Sequence, residues 1–380
     1  MQVPRLTVRE VNDIDQLQSL QSDWFRLLLQ TAEASFFQSL EWLTAYCRHF
    51  GQGEQLRTML VEQDGVLIGI VPLVVRRMRL GTRVVGYPLD SWGTSYGPVG
   101  QSPEQILTAA LVELRRQGGW DLLDLRWASG AQADAVSRAL SSAGMKAQRL
   151  CEESASWVEL AGSWDEYWMS LTSKWRNNVR RSEKKLARLG SVGCEHYRAG
   201  AGPGDVDPRW DLYEMCEQVA GASWQAVSTS GNTLTHETVR NFLRDVHKEA
   251  ARRGCVSMHL LKLSGQPIAY AYNYVLQGRV FGLRAGYDPN FAQAGPGSVL
   301  LARMMREGIR RGDRVFDLGE GASRYKRHWR NRLVDTFRFY HYRPASVRAQ
   351  AHRLKHWLGA GSRDQRAGIR DQGSGINRKC

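Results

Sequence analysis

The sequence predicts an α/β (α+β) protein made of two tandem copies of one unit, each a mixed, mostly antiparallel sheet flanked by helices. Two observations predict this fold. Residues 59–71 and residues 259–272 both have the apolar pattern and turn residues of a β-hairpin, with the turn glycines 200 residues apart. A helical pattern that ends in a glycine and runs into a short apolar strand also occurs twice. The strand contains Asp124 in the first copy and Asp317 in the second, 193 residues later. A hairpin followed by such a helix–strand junction thus occurs twice in the same order, which indicates an internal repeat.

The composition is that of a soluble globular protein with room for two domains. The chain has 380 residues, of which 42% are hydrophobic and 24% charged. The longest apolar run, residues 67–75, is far below the ~20 residues of a membrane span, and the N-terminus has no apolar core of signal-peptide length. The six cysteines are scattered without metal-ligand spacing. We therefore expect a reduced, cytoplasmic protein without a structural metal.

The charge predicts anionic partners. The formal net charge is +14, and residues 345–380 hold eight Lys or Arg against two Asp or Glu. Residues 173–198 hold another eight against two. Nucleic acid, a membrane surface and phosphate-bearing small molecules all fit this charge, and so does a basic surface without a specific partner. Because the last residues have little to bury, we expect the tail to be largely disordered.

A basic helix is predicted between the two halves of the chain. It begins at Ser173 and ends near Gly190, and Arg176, Arg180 and Lys184 lie four residues apart on one face. Such a row can bind phosphates, or it can be an ordinary solvated helix face. The predicted organisation is therefore an N-terminal domain at 1–160, a linking basic helix at 161–198, a C-terminal catalytic domain at 199–344 and the basic tail at 345–380.

A candidate site lies in residues 287–329. Gly295 and Gly297 flank a proline where a helix begins, and Ser298 follows them. Glycine lets backbone N–H groups approach a ligand, and the start of a helix attracts phosphates. The same glycines also fit a simple turn before a helix. The next strand ends in Asp317 and Glu320 and is soon followed by Lys326, which suggests the site of a transferase.

Several motifs in order resemble one known family. The chain resembles the GNAT-superfamily acyltransferases of the BcsL/CelD type (cellulose-biosynthesis-like acetyltransferases), relatives of the Fem-type aminoacyltransferases. The resemblance extends from about Phe36 to Tyr342, and its specificity lies in the order and spacing of the motifs. These are Phe37-Gln38-Ser39-x-x-Trp42, Lys174-x-Arg176-x-Asn178-x-x-Arg181, Ser223-Trp224, Gly286-Tyr287-Asp288 with Gly295-Pro296-Gly297, and Phe316-Asp317 followed by Tyr325-Lys326.

The resemblance implies two tandem GNAT-like domains that transfer an acyl group from a thioester, usually acyl-CoA, to an amine. It also implies that the turn opening a helix holds the coenzyme A pyrophosphate, which matches Gly295, Gly297 and Ser298. The first half has Glu104 at the same place, which disfavours a phosphate. We therefore expect the acyl donor in the second half of the chain.

The reaction needs an amine that loses a proton and an oxyanion that is stabilised. In Fem-type relatives the lysine of a Tyr-Lys pair lies near the reacting groups, which matches Lys326. Glu320 or Asp317 could act as the base, directly or through water. The resemblance also implies that basic residues of the central helix contact acceptor phosphates. The predicted substrate-binding residues are Arg176, Arg180, Arg181, Trp224, Tyr287 and Tyr325.

Three functions fit the sequence. The first is an acyl-CoA-dependent N-acyltransferase acting on an amine of an envelope sugar, lipid or similar acceptor. This enzyme would be cytoplasmic, and its basic tail could contact the inner face of an anionic membrane. The second is a Fem-type aminoacyltransferase that uses aminoacyl-tRNA. It ranks lower because residues 209–253 are too short and aromatic for the coiled-coil arm that such proteins often carry. The third is a non-catalytic anion-binding protein.

Overall fold

The computed structural model describes most of the chain as two compact units. The described residues are 5–78, 81–88, 96–198, 200, 207–223, 233–321 and 325–354. The first unit contains residues 1–32, 51–153 and 335–380, and the second contains residues 33–50 and 154–334. Residues 33–50 thus group with the later part of the chain. The domain boundaries predicted from the sequence stay a prediction.

Strands and helices alternate along both units. In the first part of the chain they are β1 Leu6–Val11, α1 Ile14–Gln18, α2 Gln21–Gln30, α3 Leu40–Phe50, β2 Glu54–Leu56, β3 Thr58–Gln63, β4 Val66–Val71, β5 Val74–Arg77, β6 Arg83–Gly86, α4 Pro103–Gln117, β7 Leu122–Ser129, α5 Gly130–Ser142 and β8 Gln148–Glu159. In the second part they are α6 Trp164–Ser170, α7 Ser173–Leu189, β9 Val192–Arg198, α8 Trp210–Ala222, α9 Glu237–Arg252, β10 Val256–Leu263, β11 Gln266–Leu276, β12 Arg279–Tyr287, α10 Pro296–Arg311, β13 Val315–Glu320, α11 Lys326–Trp329 and β14 Arg332–Tyr342. Short 3₁₀ helices cover Phe36–Gln38 and Pro289–Ala294.

The first unit has two sheets. One has the order β1-β3-β4 and is antiparallel. The other runs β2-β5-β6-β7-β14, in which only β6 and β7 are parallel, with α4 connecting them. Arg57 separates β2 from β3, and Pro72 and Leu73 separate β4 from β5. The Arg57 N–H donates to Leu73 O (2.8 Å), so the two interruptions lie side by side. The hairpin is therefore divided between the two sheets.

The second unit has one mixed sheet with the order β8-β13-β12-β11-β10-β9. Neighbouring strands are antiparallel except for β12 and β13, which are joined by α10 and run parallel. Helices α6, α7 and α10 share an apolar core with one face of the sheet. Helices α8 and α9 pack on β11 and β10. On that side α3 contacts α9 through Trp42 and Phe242, whose ring centroids are 4.9 Å apart.

The two units repeat the same hairpin in matching register. Its turns are Asp64-Gly65 and Ser264-Gly265, and all four residues have positive φ. Four strand pairs recur with each residue 200 positions later. In the first unit they are Met59–Val71, Leu60–Ile70, Val61–Gly69 and Glu62–Leu67, and in the second they are His259–Ala271, Leu260–Tyr270, Leu261–Ala269 and Lys262–Pro267. Each hairpin also has its register shift at the same place. The predicted fold class is confirmed, with two α/β units that each contain a mixed sheet and flanking helices.

Two further sequence expectations concern the ends and loops. Residues 347–354, in the part of the tail that the structure describes, are helical, whereas the sequence predicted a largely disordered tail. The expected disorder after residue 354 lies outside the described residues, as does Trp224. Among the described residues, no helix has both the length and the apolar character to cross a membrane. No group of three or more His, Cys, Asp or Glu side chains in that part of the chain is placed to hold a metal ion.

Candidate active site

The sheet of the second unit opens between its two parallel strands. β12 and β13 pair only from Arg279 to Phe281 on one side and from Val315 to Asp317 on the other. The register of β12 against β11 then shifts, which leaves Leu283 as an extra residue in the strand. Gly282 and Ala285 are exposed although β12 lies in the interior of the sheet. The strands therefore leave an opening beyond their last shared pair.

The opening requires a glycine at its inner end. A Cβ atom added to Gly282 would lie only 3.0 Å from Asp317 O on the neighbouring strand. A second glycine, Gly286, lies further along the same strand, and a Cβ there would come within 2.9 Å of the Tyr270 ring. The absence of side chains at these positions lets β12 pass close to its neighbours while the opening stays accessible.

The predicted phosphate cradle forms the start of α10. Gly295 is the N-cap residue in the left-handed region (φ 67°), and Pro296 is the first helical residue. A Cβ on Gly295 would lie 2.5 Å from Ser182 Oγ of α7, and a Cβ on Gly297 would lie 3.3 Å from the Tyr287 ring. The Ser298 N–H donates to Gly295 O (3.2 Å). The two glycines thus bring the backbone of the helix start against Ser182 of α7 and Tyr287 at the end of β12.

Asp317, one of the two candidate bases, is deeply buried. Its side chain is 2% exposed, and Oδ1 accepts a hydrogen bond from the Gly319 N–H (2.7 Å). Burial lowers the pKa of Arg279, and the negative charges of Glu33 and Asp317 oppose that shift. Asp317 therefore holds the backbone turn at the end of β13 and contributes negative charge near a buried guanidinium.

Lys326 lies against the end of the same strand. Its side chain is 7% exposed, and Nζ donates to the backbone oxygen of Glu320. Gly319 has φ 77°, and a Cβ there would lie 3.7 Å from Lys326 Nζ. Glu320 is half-buried. The structure thus brings the three residues predicted for the chemistry to one strand end, with Asp317 on the turn and Lys326 on the backbone of Glu320.

The short helix α11 that carries Lys326 is fixed by aromatic side chains. Trp329 is buried, and its carbonyl accepts a hydrogen bond from Tyr167 Oη (2.7 Å). Trp175 of α7 stacks on His328 with ring centroids 4.2 Å apart, and it meets Trp329 edge-on at 5.7 Å. Burial raises the pKa of Tyr167, so its phenol remains a donor at neutral pH. These contacts determine the position of Lys326.

The three arginines predicted for the acceptor do not converge on one point. Arg176 Nη1 donates to the carbonyls of Met169 (2.8 Å) and Leu171 (2.7 Å) at the end of α6. The Arg180 guanidinium lies 5.9 Å from the Trp168 ring. Arg181 is exposed. Of the other predicted substrate contacts, Tyr287 packs on Gly297, while Tyr325 is 48% exposed beside Lys326.

A layer of buried tyrosines beside the opening was not predicted as part of the site. Tyr270 and Tyr272 alternate along β11 on the side of α8, with their strand partners Gly286 and Arg284 on β12. Burial lowers the pKa of Arg284, and the Tyr270, Tyr274 and Tyr213 phenols oppose that shift. The alternating Tyr270, Tyr272 and Tyr274 in the sequence were the available signal, since tyrosine brings a polar hydroxyl into a buried strand.

Comparison with known proteins gives the class of this site. Residues 173–327 match the family described as an acetyltransferase (GNAT) domain, which includes the opening, the start of α10 and Lys326. No curated protein matches the sequence. The chain therefore carries a GNAT acetyltransferase domain, and the prediction of an N-acyltransferase is confirmed.

Solved structures resemble the whole fold at low sequence identity. FemX is 12% identical with a TM-score of 0.61, and the similarity covers 89% of this chain and 97% of FemX. A conserved protein of unknown function from Bacteroides thetaiotaomicron is 7% identical (TM-score 0.53, 89% of this chain, 100% of that one). The C-terminal domain of an Agrobacterium fabrum protein named as a lysylphosphatidylglycerol synthetase is 13% identical (TM-score 0.52, 89% of this chain, 95% of that one). At such low sequence identities, these structural similarities show a shared fold.

Proposed function

We propose that the protein transfers an acyl group from acyl-CoA to an amine on an envelope sugar, lipid or similar acceptor, as in the BcsL/CelD-type acyltransferases that its motifs resemble. The observation that carries this proposal is the opening between β12 and β13 beside the side-chain-free start of α10. In this proposal the pantetheine arm of coenzyme A enters the opening, and the coenzyme A diphosphate lies at the start of α10, where the helix dipole favours an anion.

The residues around the opening fit an acyl-CoA. Ser182 and Tyr287 pack against Gly295 and Gly297, so the backbone of the helix start is the surface offered to a phosphate. The strand end with Lys326 and Glu320 lies where β13 leaves β12, so a thioester held in the opening presents its carbonyl there. Acyl-CoA is a co-substrate in this proposal, and no metal takes part in the steps derived from these residues.

The transfer uses the acceptor amine as the nucleophile. Glu320, directly or through a water molecule, takes a proton from the amine, and the amine nitrogen forms a bond to the thioester carbonyl carbon. The carbon–sulfur bond then breaks, and the leaving thiolate of coenzyme A takes up the proton that Glu320 received from the amine. Lys326 stabilises the negative charge that develops on the carbonyl oxygen. We assign Asp317 to positioning of the strand end, because its carboxylate accepts the Gly319 N–H.

The acceptor site remains the prediction made from the sequence. Arg180, beside the partly buried Trp168, and Tyr325, beside Lys326, offer a cation and an aromatic ring for an anionic acceptor. Arg176 is the weaker candidate, because the same guanidinium holds the carbonyls at the end of α6. The expected contact of the basic tail with anionic membrane can be tested by sedimentation with phosphatidylglycerol vesicles, using a chain that ends at residue 354 as the control.

The direct test is donor binding followed by transfer. The purified protein is titrated calorimetrically with acyl-CoAs of increasing chain length and then incubated with aminosugars and amine lipids, with products detected by mass spectrometry. We expect saturable binding of at least one acyl-CoA and amide formation on one acceptor. A protein that binds no acyl-CoA but transfers the aminoacyl group of a charged tRNA would replace this proposal with the Fem-type alternative, which the fold shared with FemX leaves open.

A further inference from the structure

Helix α7 passes across the start of α10 and contacts both sides of the proposed site. Near its beginning, Trp175 stacks on His328 two residues after Lys326. In its middle, Ser182 lies against Gly295. At its end, a Cβ on Gly190 would lie 2.3 Å from Ser264 Oγ in the turn between β10 and β11. A ligand at the start of α10 therefore has α7 as its neighbour over several helical turns.

The side chains of α7 divide into a buried face and two exposed sides. Val179 and Leu186 are buried in the core below. Lys185 lies on the side towards the 3₁₀ helix Pro289–Ala294, because its Nζ donates to Gln293 O (3.0 Å) just before the cradle. Arg181 lies one turn earlier, on the same side. Arg180 leans the other way, towards Trp168 of α6.

This geometry gives Arg181 and Lys185 a different ligand from Arg180. Coenzyme A carries a diphosphate and a separate 3′-phosphate, and the start of one helix has N–H groups for only one of these sites. Cations immediately beside the helix start supply the charge that the other phosphate needs. The one carboxylate in the 3₁₀ connection, Asp288, is held by the Asn290 N–H (2.9 Å) at the far end of that helix.

We propose that Arg181 and Lys185 form a second anion subsite, which binds the phosphates of the nucleotide part of the acyl donor rather than the acceptor. This inference rests on the proposed function, since it extends the same donor site. It changes the role predicted from the sequence for Arg181. The ligand chemistry is a phosphorylated nucleotide that carries an acyl thioester through a flexible arm.

The test compares three ligands that differ in their phosphates. Coenzyme A, 3′-dephospho-coenzyme A and pantetheine are titrated into the full chain by calorimetry. Arg181→Gln and Lys185→Gln should each weaken coenzyme A binding by about tenfold, which is the effect of one lost charge-assisted phosphate contact. Pantetheine binding should be unchanged in both variants. Lys185→Arg keeps the charge and should retain most of the affinity.

Lys184→Gln is the matched control. It makes the same change of charge on the neighbouring exposed residue, which points away from the 3₁₀ helix by a rotation of about 100°. If this control weakens coenzyme A as much as Lys185→Gln does, the effect is general electrostatics and the subsite is wrong. If wild-type protein binds coenzyme A but Arg181→Gln and Lys185→Gln do so equally well, the subsite is wrong and the proposed donor stands. If wild-type protein binds none of the three ligands, the proposed function itself fails.

Discussion

The starts of α4 and α10 occupy the same place in the two units and differ in the chemistry of a few side chains. Each helix begins with a proline, Pro103 and Pro296, and these are 193 residues apart. In α4 the proline is followed by Glu104, which forms an ion pair with Arg138 (2.7 Å). In α10 it is followed by Gly297, and the residue before it is also glycine.

The residues around the two helix starts also differ, being aliphatic in the first unit and polar or aromatic in the second. A Cβ added to Gly69 of the first unit would lie 2.4 Å from Ile106 Cγ1, so an aliphatic side chain of α4 already fills the space over the hairpin. In the second unit the residues beside the helix start are Ser182 and Tyr287. A carboxylate in the first turn of a helix takes the place of a bound anion, whereas a bare turn leaves the N–H groups to a ligand. One fold can thus be repeated while the proposed donor site is present once.

The largest effect is expected at the strand end, where the units differ most. β7 of the first unit ends at Ser129, the N-cap of α5, whereas β13 ends beside Lys326. Lys326→Met removes the cation and keeps the length of the side chain. We expect normal folding, normal acyl-CoA binding and a loss of turnover of about 100-fold or more, measured as kcat at saturating donor.

Two outcomes bear on this prediction. Turnover within a few-fold of wild type would mean that the reacting carbonyl lies elsewhere. Glu320→Gln should also lower kcat, and it should remove the acidic limb of the pH–rate profile if Glu320 is the base. A lower kcat with an unchanged profile would assign Glu320 to positioning.

The comparison itself can be tested by exchanging one residue. Gly297→Glu gives α10 the residue that α4 has at the corresponding position. We expect acyl-CoA to bind at least tenfold more weakly, because a carboxylate then competes with the phosphate for the helix start. Glu104→Gly in the first unit is the matched control and should leave the dissociation constant unchanged. Equal binding by wild type and Gly297→Glu would place the donor phosphates elsewhere.

At the N-cap of α10 the expected effect is on stability rather than on binding. Gly295→Ala places a side chain at φ 67° and 2.5 Å from Ser182 Oγ, so it combines backbone strain with a steric conflict. We expect a loss of roughly 2 kcal/mol in the free energy of unfolding. Gly265→Ala has φ 86° with no atom within 4 Å of the added Cβ, and it should lose about half as much. Urea denaturation of both variants separates the two contributions.

The smallest effect is on the pH dependence of stability. It follows from another difference between the two hairpins, a histidine in place of a methionine. His259 occupies the position of Met59, and its ring stacks on His196 with centroids 4.1 Å apart. Burial lowers the pKa of His196 to about 4, and the nearby charge of Arg311 acts in the same direction. The unfolded chain, with a histidine pKa near 6.5, therefore binds this proton first as the pH falls.

Stability is then fully present above pH 6.5 and is lost as the pH falls towards 4. Between pH 7.5 and 5.5 we expect the loss from this group to be about 1 kcal/mol, measured by urea denaturation across that range. His196→Phe keeps a ring on His259 and removes one titration, so its pH dependence should be shallower. It should not vanish, since burial also lowers the pKa of His247 to about 4. An unchanged slope would show that His196 is already charged in the folded protein.

Local patterns in the sequence were enough to predict the repeated hairpins, α10 and the strand end with Lys326. Hairpin turns and helix starts depend on residues next to each other, so their spacing carries the information. The pairing of Trp42 with Phe242 was not predicted, because an apolar helix face shows that it is buried but not which helix or sheet covers it. For the same reason, the helical spacing of Arg176 and Arg180 predicted one shared ligand. The structure instead places Arg176 on the carbonyls of α6, partners that no spacing within α7 could reveal.

The matching register of the two hairpins bears on the origin of the chain. Turn, register shift and pairs recur at a constant offset of 200, so duplication of an ancestral gene without net insertion or deletion in this segment accounts for both copies. Few of the paired side chains are the same in the two copies. After such a duplication, selection would have acted on backbone pairing throughout and on the helix start in one copy alone. If the donor binds as proposed, the first unit persists as a scaffold, because replacement of a few residues at one helix start would end donor binding without changing the sheet.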